Sequence, residues 1–301
     1  MDHQRKPISF FFPALKKVEA PPFPLTKPCG TGAVSVTGSH CALTCKHCGG
    51  LILKNMQAAR TPQALKEAAR RMAEKGGRTI LISGGADQEG KVPLLDFTPV
   101  IKEIRSELGL KVLVHTGLVS PPMADALAEA RVDLALLDII GDNRTIREVY
   151  HLKATVGDYE QSLRRLTDRA IPTAPHVVMG LHFGRILGEP RALEMIAPYP
   201  IKTLVLVGFR PIPKTVMAKT SPPSPEAMGE LFSLARKLFP QTPVVLGCER
   251  PLGLHRRKTD LLAIEAGLDG ITYPSDRAVQ MAEDLGMNIS YHTECCALIN
   301  S

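Results

Sequence analysis

The sequence predicts an α/β fold, a (β/α)8 TIM-type barrel with an N-terminal arm and a C-terminal tail that lies over the carboxyl ends of the strands. Two observations carry this prediction: eight short apolar runs recur along the chain, and segments with helical period separate them. Alternation of strand and helix indicates parallel pairing with right-handed crossovers. An open doubly wound sheet has the same alternation and remains the alternative, but eight units favour the barrel.

The predicted strands are short β-branched or apolar runs. In chain order they are Ala33–Val36, Thr79–Ser83, Lys111–His115, Leu134–Asp138, His176–Met179, Thr203–Val207, Pro243–Leu246 and Gly270–Tyr273. Side-chain oxygens that cap helices predict helix starts at Thr61, Asp158, Ser224 and Ser275. Chemistry in such a barrel is expected where these strands end.

The chain is predicted to be one domain with two extensions. Residues 1–32 are rich in proline and lysine, which favours an extended arm over an element of the core. Residues 33–286 make the predicted barrel, and residues 287–301 make the tail. No linker-like break divides them.

Composition excludes several classes of protein. Hydrophobic residues make up 44% of the 301 residues and charged residues 22%, which is ordinary for a globular protein. The formal charge of +7 comes without a run of five Lys or Arg residues, so it fits an acidic protein partner better than nucleic acid. No segment reads as a signal peptide or membrane span. Seven cysteines without an export signal favour metal or redox chemistry in the cytoplasm.

Three of the cysteines form a motif directly after the first predicted strand. Cys41, Cys45 and Cys48 are spaced by three and then two residues, so one loop can wrap three corners of a cubane. A [4Fe–4S] cluster usually takes four thiolates, which leaves one iron open to a substrate. The alternatives are a zinc site completed by His40 or His47, and a redox pair made by Cys45 and Cys48.

With this spacing and position, the loop resembles the signature of the radical S-adenosylmethionine (SAM) superfamily. The resemblance implies that the open iron chelates SAM and that one electron from the cluster cleaves SAM to a 5′-deoxyadenosyl radical. Such a radical serves reactions at carbons that offer no acidic proton, where the cofactor does the hard step and the protein positions it.

The resemblance also implies which residues bind SAM. The second strand ends at Gly84 and Gly85, which are similar to the glycine-rich segment that meets the SAM amino group. Asp138, which ends the fourth strand, is implied to hold the ribose hydroxyls. Gly180 and Leu181 follow the fifth strand and are implied to back the adenine. A tight turn at the glycines and a helix-capping role for Asp138 are the structural alternatives.

The later units narrow the resemblance to biotin synthase. The segments 206–215, 245–250 and 263–271 are similar to the corresponding biotin synthase segments, so the likeness spans most of the barrel. Two positions depart from that pattern: Lys214 stands where a glycine is usual, and Cys248 appears in the turn after the seventh strand.

Four cysteines remain outside the motif, which is enough for an auxiliary cluster. They are Cys29, Cys248, Cys295 and Cys296. Cys248 ends the seventh strand, and the eight residues from Asn288 to Cys295 span roughly 26 Å when extended, so the tail can return to that face. Burial as small hydrophobic residues is the alternative.

The most specific resemblance is to the biotin-synthase-like members of the two-protein, split type of lipoyl synthase. It rests on Ser35–Gly38, Phe209–Pro213, Gly247–Pro251 and Glu294–Leu298. It implies sulfur insertion into a protein-bound octanoyl group, with an octanoylated carrier domain, a second radical SAM synthase and an electron donor such as ferredoxin or flavodoxin as partners. Methylthio transfer, a mutase reaction, maturation of another cofactor, and simple electron carriage stay open as alternatives.

Overall fold

The computed structural model describes residues 6–13 and 30–300 of the chain. Its strands are β1 (Pro7–Phe11), β2 (Thr31–Ser35), β3 (Gln57–Ala58), β4 (Thr79–Ser83), β5 (Lys111–His115), β6 (Leu134–Asp138), β7 (Thr173–Met179), β8 (Leu204–Gly208), β9 (Val244–Leu246), β10 (Gly270–Thr272) and β11 (Asn288–His292). They form one sheet in the order β11-β1-β10-β9-β8-β7-β6-β5-β4-β2-β3. Every pairing in it is parallel.

Helices connect the strands, as parallel pairing requires. They are α1 (Pro62–Glu74), α2 (Thr98–Leu108), α3 (Pro121–Glu129), α4 (Asn143–Val149), α5 (Val156–Thr167), α6 (Glu189–Ile196), α7 (Pro225–Leu238), α8 (Leu254–Glu265) and α9 (Asp276–Asp284). Three short 3-10 helices cover Leu51–Asn55, Leu95–Phe97 and Cys296–Leu298.

Three predicted helix starts are confirmed, and one is shifted. Thr61, Ser224 and Ser275 each precede a helix, and the hydroxyls of the first two accept backbone N–H groups at 3.1 and 3.2 Å. The helix start that was predicted at Asp158 lies three residues earlier in the structure. Thr155 is the N-cap, and Asp158 is its partner in a capping box, accepting the Thr155 N–H at 2.7 Å.

The α/β barrel-type fold is confirmed. Thr79–Ser83, Lys111–His115 and Leu134–Asp138 have the predicted bounds, and the other five predicted strands shift by one to three residues. The sheet differs from a closed barrel because β11 and β3 are its two edges within residues 6–13 and 30–300. Next to β11 a cavity of about 650 Å³ opens, and an Arg78–Glu294 ion pair lies on its wall.

The N-terminal segment is not merely an arm. Residues Pro7–Phe11 form β1, which pairs with β10 on one side and β11 on the other, and Ile8 and Phe10 are completely buried. Its single proline stands at the first strand position, where a missing N–H is tolerated. The prediction of an arm over residues 1–32 is therefore wrong for this segment, since the apolar side chains of residues 8–12 outweigh the proline signal. Residues 288–292 likewise form an edge strand that the tail prediction did not contain.

The curved sheet encloses a space that we call the lumen. Its apolar layer consists of Phe11, Leu113, Leu134, Leu136, Ala174, Val205 and Val245. Residues 296–299 of the tail belong to the same buried cluster, and the Ala297 carbonyl accepts the Thr203 hydroxyl at 3.1 Å. The tail was expected over the carboxyl ends of the strands. Instead it packs inside the lumen, and residues 298–300 line the same cavity as Thr79 and Lys111 at the amino ends of β4 and β5. A second, larger apolar cluster lies between the outer side of the sheet and the helices.

Candidate metal centre

The cysteine loop follows β2 and leads into the 3-10 helix that begins at Leu51. Cys45 and Cys48 are buried, while Cys41 is partly exposed. The ligand atoms of Cys45, His47 and Cys48 all lie within 4.8 Å of one another. The Gly49 N–H donates to the Cys45 carbonyl at 2.7 Å, which tightens the turn between the two buried thiols. The loop thus brings metal-binding atoms together before any metal is present.

The electrostatics of the loop favour a thiolate. A hydrogen bond from the Cys45 thiol lowers the pKa of Cys48, and His47 lowers it further. The reciprocal hydrogen bond raises the pKa of Cys45, and burial adds to this. The thiolate is the form of cysteine that binds metals, so Cys48 is prepared for ligation. The Nδ1 atom of His47 is buried without a hydrogen-bond partner among the described residues.

Gly85 lies against the backbone of the cysteine loop at the end of β4, and its predicted contact with SAM stays a prediction. A Cβ at this position would lie 2.0 Å from the His40 carbonyl oxygen and 2.6 Å from the Cys41 Cα. The Gly85 N–H donates to the Thr37 hydroxyl at 2.7 Å, which links the strand end to the loop. Gly84 is less crowded, with Val36 and Thr37 methyl groups 3.1 and 3.2 Å from its ideal Cβ.

Asp138 lies at the end of β6 among polar side chains that face the lumen. Side chains alternate along a strand, and Asp138 follows the lumen residue Leu136 by two positions. Its Oδ1 lies 3.8 Å from the His115 Nε2, and His176 is its partner in register on β7. The His176 Nδ1 donates to the Ala174 carbonyl at 3.0 Å, which leaves Nε2 as an acceptor in the neutral ring. Burial, then the neighbouring His115, lowers the pKa of His176 to about 4.

Gly180 and Leu181 are placed directly after β7. Gly180 has φ +80°, and a Cβ there would lie 2.4 Å from Pro223 Cδ. Its N–H donates to the buried Glu189 carboxylate at 2.7 Å, and Leu181 is buried in the outer core. The turn is therefore fixed by packing and by Glu189, and a role in holding adenine stays a prediction.

A cavity of about 830 Å³ lies beside the cysteine loop and not in the lumen. Ala42 and Leu43 of the loop form part of its wall, together with residues from the loops after β4, β5 and β6.

Comparison with known families decides between the possible metal sites. The profile of the radical SAM superfamily matches residues 35–186, half of the chain. The chain belongs to the radical SAM superfamily. The matched region contains the three loop cysteines, both glycines after β4, Asp138, and the Gly180–Leu181 turn. We therefore interpret this loop neither as a zinc site nor as a simple redox pair.

The relatives of this radical SAM enzyme include biotin synthases. That of Halorhodospira halophila is 27% identical over 284 residues, covering 89% of this chain and 83% of that protein. That of Brucella anthropi is 25% identical over 228 residues, covering 73% of this chain and 64% of that protein.

Solved structures with a similar fold include proteins of different function. Methylornithine synthase PylB has a TM-score of 0.59 at 14% identity, over 86% of this chain and 82% of that one. The FeFe-hydrogenase maturase HydG from Carboxydothermus hydrogenoformans has a TM-score of 0.62 at 15% identity, over 94% and 68%. At these identities the likeness concerns the fold.

The residues of the loop fit the cofactors that the superfamily implies. Three thiols in one loop suit three corners of a [4Fe–4S] cluster, and the lowered pKa of Cys48 suits ligation. The crowded Gly85 keeps side chains away from the loop backbone, and the unpartnered His47 Nδ1 is available to a bound group. Cys41, Cys45 and Cys48 would hold the cluster, and contact of Gly84, Gly85 and Asp138 with SAM stays a prediction.

The remaining described cysteines meet around the lumen. Cys295 and Cys296 are hydrogen-bonded through their thiols, which lowers the pKa of Cys295 and raises that of Cys296. Burial raises the pKa of Cys248 to about 12, and the charge of Cys296 adds to this effect. Cys248 nevertheless keeps exposed surface, whereas Cys296 is buried. Cys29 lies outside the described residues.

Two tyrosines near the loop were missed from the sequence. Burial, and then the charge of Asp138, raises the pKa of both Tyr150 and Tyr159, and Cys45 lies within electrostatic reach of both. The Tyr150 ring packs on His47 at 5.2 Å between centroids. Neither stands at a strand end or in a motif, so no local sequence signal marked them. Arg250 was likewise given no role from the sequence; it is 2% exposed and paired with Asp260.

No helix of the described residues is long and apolar enough to cross a bilayer.

Proposed function

We propose that this radical SAM enzyme inserts sulfur into an unactivated C–H bond of a protein-bound octanoyl group, in lipoyl cofactor synthesis with a second radical SAM protein. The observation that carries the proposal is the meeting of Cys248, Cys295 and Cys296 around the lumen, beyond the SAM-type cysteine loop. These thiols suit an auxiliary iron–sulfur cluster, with Cys29 as a further candidate ligand. The biotin synthase relatives support sulfur chemistry.

The proposed chemistry takes place at the carboxyl ends of the strands. Deeper in the lumen, Leu113, Leu136 and Val205 pack with residues 296–299 of the tail, while Asp138 and His115 form a polar layer nearer the mouth. The distal carbons of an octanoyl chain have no acidic hydrogen, so SAM and its cluster supply the radical that removes hydrogen, and the auxiliary cluster supplies sulfur. The protein binds the chain, orients it between the two sets of thiols and keeps water out.

The proposed partners are an acidic carrier domain bearing octanoyl-lysine, the partner synthase, and an electron donor such as ferredoxin or flavodoxin. The formal charge of +7 favours acidic partners, and this attraction weakens with salt. We place the reaction in the cytoplasm, where a reducing environment keeps the thiols available for metal.

The test supplies octanoylated carrier peptide, SAM and reductant to the anaerobically reconstituted enzyme, with and without the partner synthase. The expected result is a mass gain by sulfur that requires this protein. The variant Cys248→Ala/Cys295→Ala/Cys296→Ala should still form 5′-deoxyadenosine and should add no sulfur. The proposal is wrong if the partner alone completes lipoyl formation and this protein alone adds no sulfur to the octanoyl chain.

A further inference from the structure

Three neighbouring loops, one of which contains Cys45 and Cys48, form a surface without acidic residues, which we call the basic face. It consists of residues 44–54, 183–188 and 211–224. Five cations lie on it, and no Asp or Glu does; the cations are Lys46, Lys54, Arg185, Lys214 and Lys219. This number accounts for most of the formal net charge of +7.

Contacts between the loops make them one surface. The Met217 N–H donates to the Lys46 carbonyl at 3.2 Å, and the Lys46 Nζ lies 5.4 Å from the centre of the Phe183 ring. An ideal Cβ on Gly49 would lie 4.0 Å from the Thr215 methyl group. The loop after β8 therefore reaches across to the loop that follows β2.

The carboxylates next to the basic face are engaged by other groups. Asp142, which lies against Gly188, accepts the Thr145 N–H at 2.6 Å. Glu148 on the adjacent α4 pairs with Arg144 at 3.0 Å and lies 3.9 Å from Arg147, so this helix end adds positive charge. Glu189, which follows Gly188, is buried and accepts two backbone N–H groups. None of the five cations has an ion-pair partner among the described residues.

Exposed apolar side chains lie within the basic face. Val216 is 74% exposed, Ile52 49% and Leu187 46%, although side chains of this kind are normally covered. Apolar groups surrounded by charges of one sign are typical of a protein-binding surface. The cavities of about 830 and 650 Å³ are not lined by Val216, Ile52 or Leu187.

We propose that the basic face is the docking surface of an acidic protein that carries single electrons. This inference rests on the proposed function, because a SAM-binding cluster needs an electron for each cleavage. Lys46 lies between the ligands Cys45 and Cys48, so a partner seated beside Lys46 and Val216 comes close to the cluster. Electron carriers bind through small, charge-steered surfaces, which matches this face. In the transfer the partner loses one electron to the cluster, and no other reactant is needed.

The test reverses three charges of the face in the reconstituted holoenzyme: Lys54→Glu/Lys214→Glu/Lys219→Glu. The matched control, Lys75→Glu/Lys202→Glu/Lys237→Glu, changes the net charge equally at the opposite end of the barrel. SAM cleavage is measured with dithionite and, separately, with reduced bacterial flavodoxin or ferredoxin at about 50 mM salt. Binding of flavodoxin and binding of the octanoylated carrier domain are each measured directly.

With flavodoxin or ferredoxin, the face variant should cleave SAM about tenfold more slowly, and the control should change less than about twofold. With dithionite, both variants should match the wild type. The proposal is overturned if the face variant accepts electrons from both carriers at the wild-type rate, or if it loses binding only to the octanoylated carrier domain. If the wild type cleaves no SAM with dithionite, the proposed function is wrong. The docking surface is tested separately by flavodoxin binding: an unchanged flavodoxin affinity in the face variant would overturn it.

Discussion

Single residues in this enzyme are constrained by contact distances that can be tested one atom at a time. At Gly85 a methyl group would overlap the His40 carbonyl and the Cys41 backbone at 2.0 and 2.6 Å. Both contacts are to backbone, so the cysteine loop itself must move. The motif cysteines can hold a cluster only while that loop keeps its shape.

We therefore expect Gly85→Ala to reduce the iron bound after reconstitution and to destabilise the fold by about 1–3 kcal/mol. Gly157→Ala is the matched control, since its nearest neighbour is the Thr155 hydroxyl at 3.5 Å. Iron content, the visible absorption of the cluster and thermal unfolding are measured on both variants. Full iron binding by Gly85→Ala would show that the loop tolerates the displacement.

The lowered pKa of His176 predicts that the free energy of unfolding depends on pH. Burial and the neighbouring His115 hold its pKa at about 4 in the folded chain, below the usual 6.5. Between these values the unfolded chain binds a proton that the folded chain does not, so the free energy of unfolding falls as the pH drops. The decrease from this residue is up to about 3 kcal/mol.

The measurement compares urea unfolding of the wild type and His176→Gln from pH 7 to pH 4. The wild type should lose stability more steeply than the variant over this range. Parallel curves would mean that His176 is protonated in the folded protein as readily as in the unfolded one.

At the scale of elements, one buried guanidinium connects β9, β10 and α8. The Arg250 Nε donates to Asp260 at 2.7 Å, and Nη1 donates to the Gly247 and Thr272 carbonyls at 2.9 and 2.8 Å. Asp260 also accepts the Ser275 N–H at 2.7 Å. The pair therefore positions the turn that carries Cys248.

Removing one partner leaves the other charge buried. Arg250→Met is expected to destabilise the protein by about 3–5 kcal/mol, whereas Arg250→Met/Asp260→Leu should recover much of the loss. Urea unfolding under anaerobic conditions measures both variants. A loss below about 1 kcal/mol for Arg250→Met would contradict the assignment of this pair as a buried support.

Elements with strong local signals were predicted well from the sequence. The runs that became β4, β5 and β6 are bounded by turn residues and lie under helices, so local apolar pattern and final burial agree. In β1 and β11 the local sequence pattern does not indicate the final pairing and burial. Their pairing joins residues 7–11 to residues 288–292, across almost the whole chain, and the exposed, polar Asn288 and Ser290 give no strand signal.

The residues of the candidate site likewise fall into two groups, those with a local sequence signal and those without one. The cysteine spacing and the glycines after β4 are local patterns and could be found from the sequence. Tyr150, Tyr159 and the buried Arg250 acquire their surroundings only when separate loops meet, so no local pattern marks them.

On the scale of the whole molecule, three groups of residues with different proposed roles lie in different parts of the barrel. The loop after β2 holds Cys41, Cys45 and Cys48, the tail brings Cys295 and Cys296 into the lumen near Cys248, and the basic face lies outside the loop. Within residues 6–13 and 30–300, β11 is an edge of the sheet, and the tail that follows it packs into the lumen. Segments that are remote in sequence therefore meet there.

The most direct measurement of the central claim is 5′-deoxyadenosine formation from SAM by the reconstituted protein with dithionite, under anaerobic conditions. The wild type is expected to form it, and Cys41→Ala/Cys45→Ala/Cys48→Ala is expected to form none while remaining folded. A triple variant that still makes 5′-deoxyadenosine, or a wild type with a full cluster that makes none, would contradict the account.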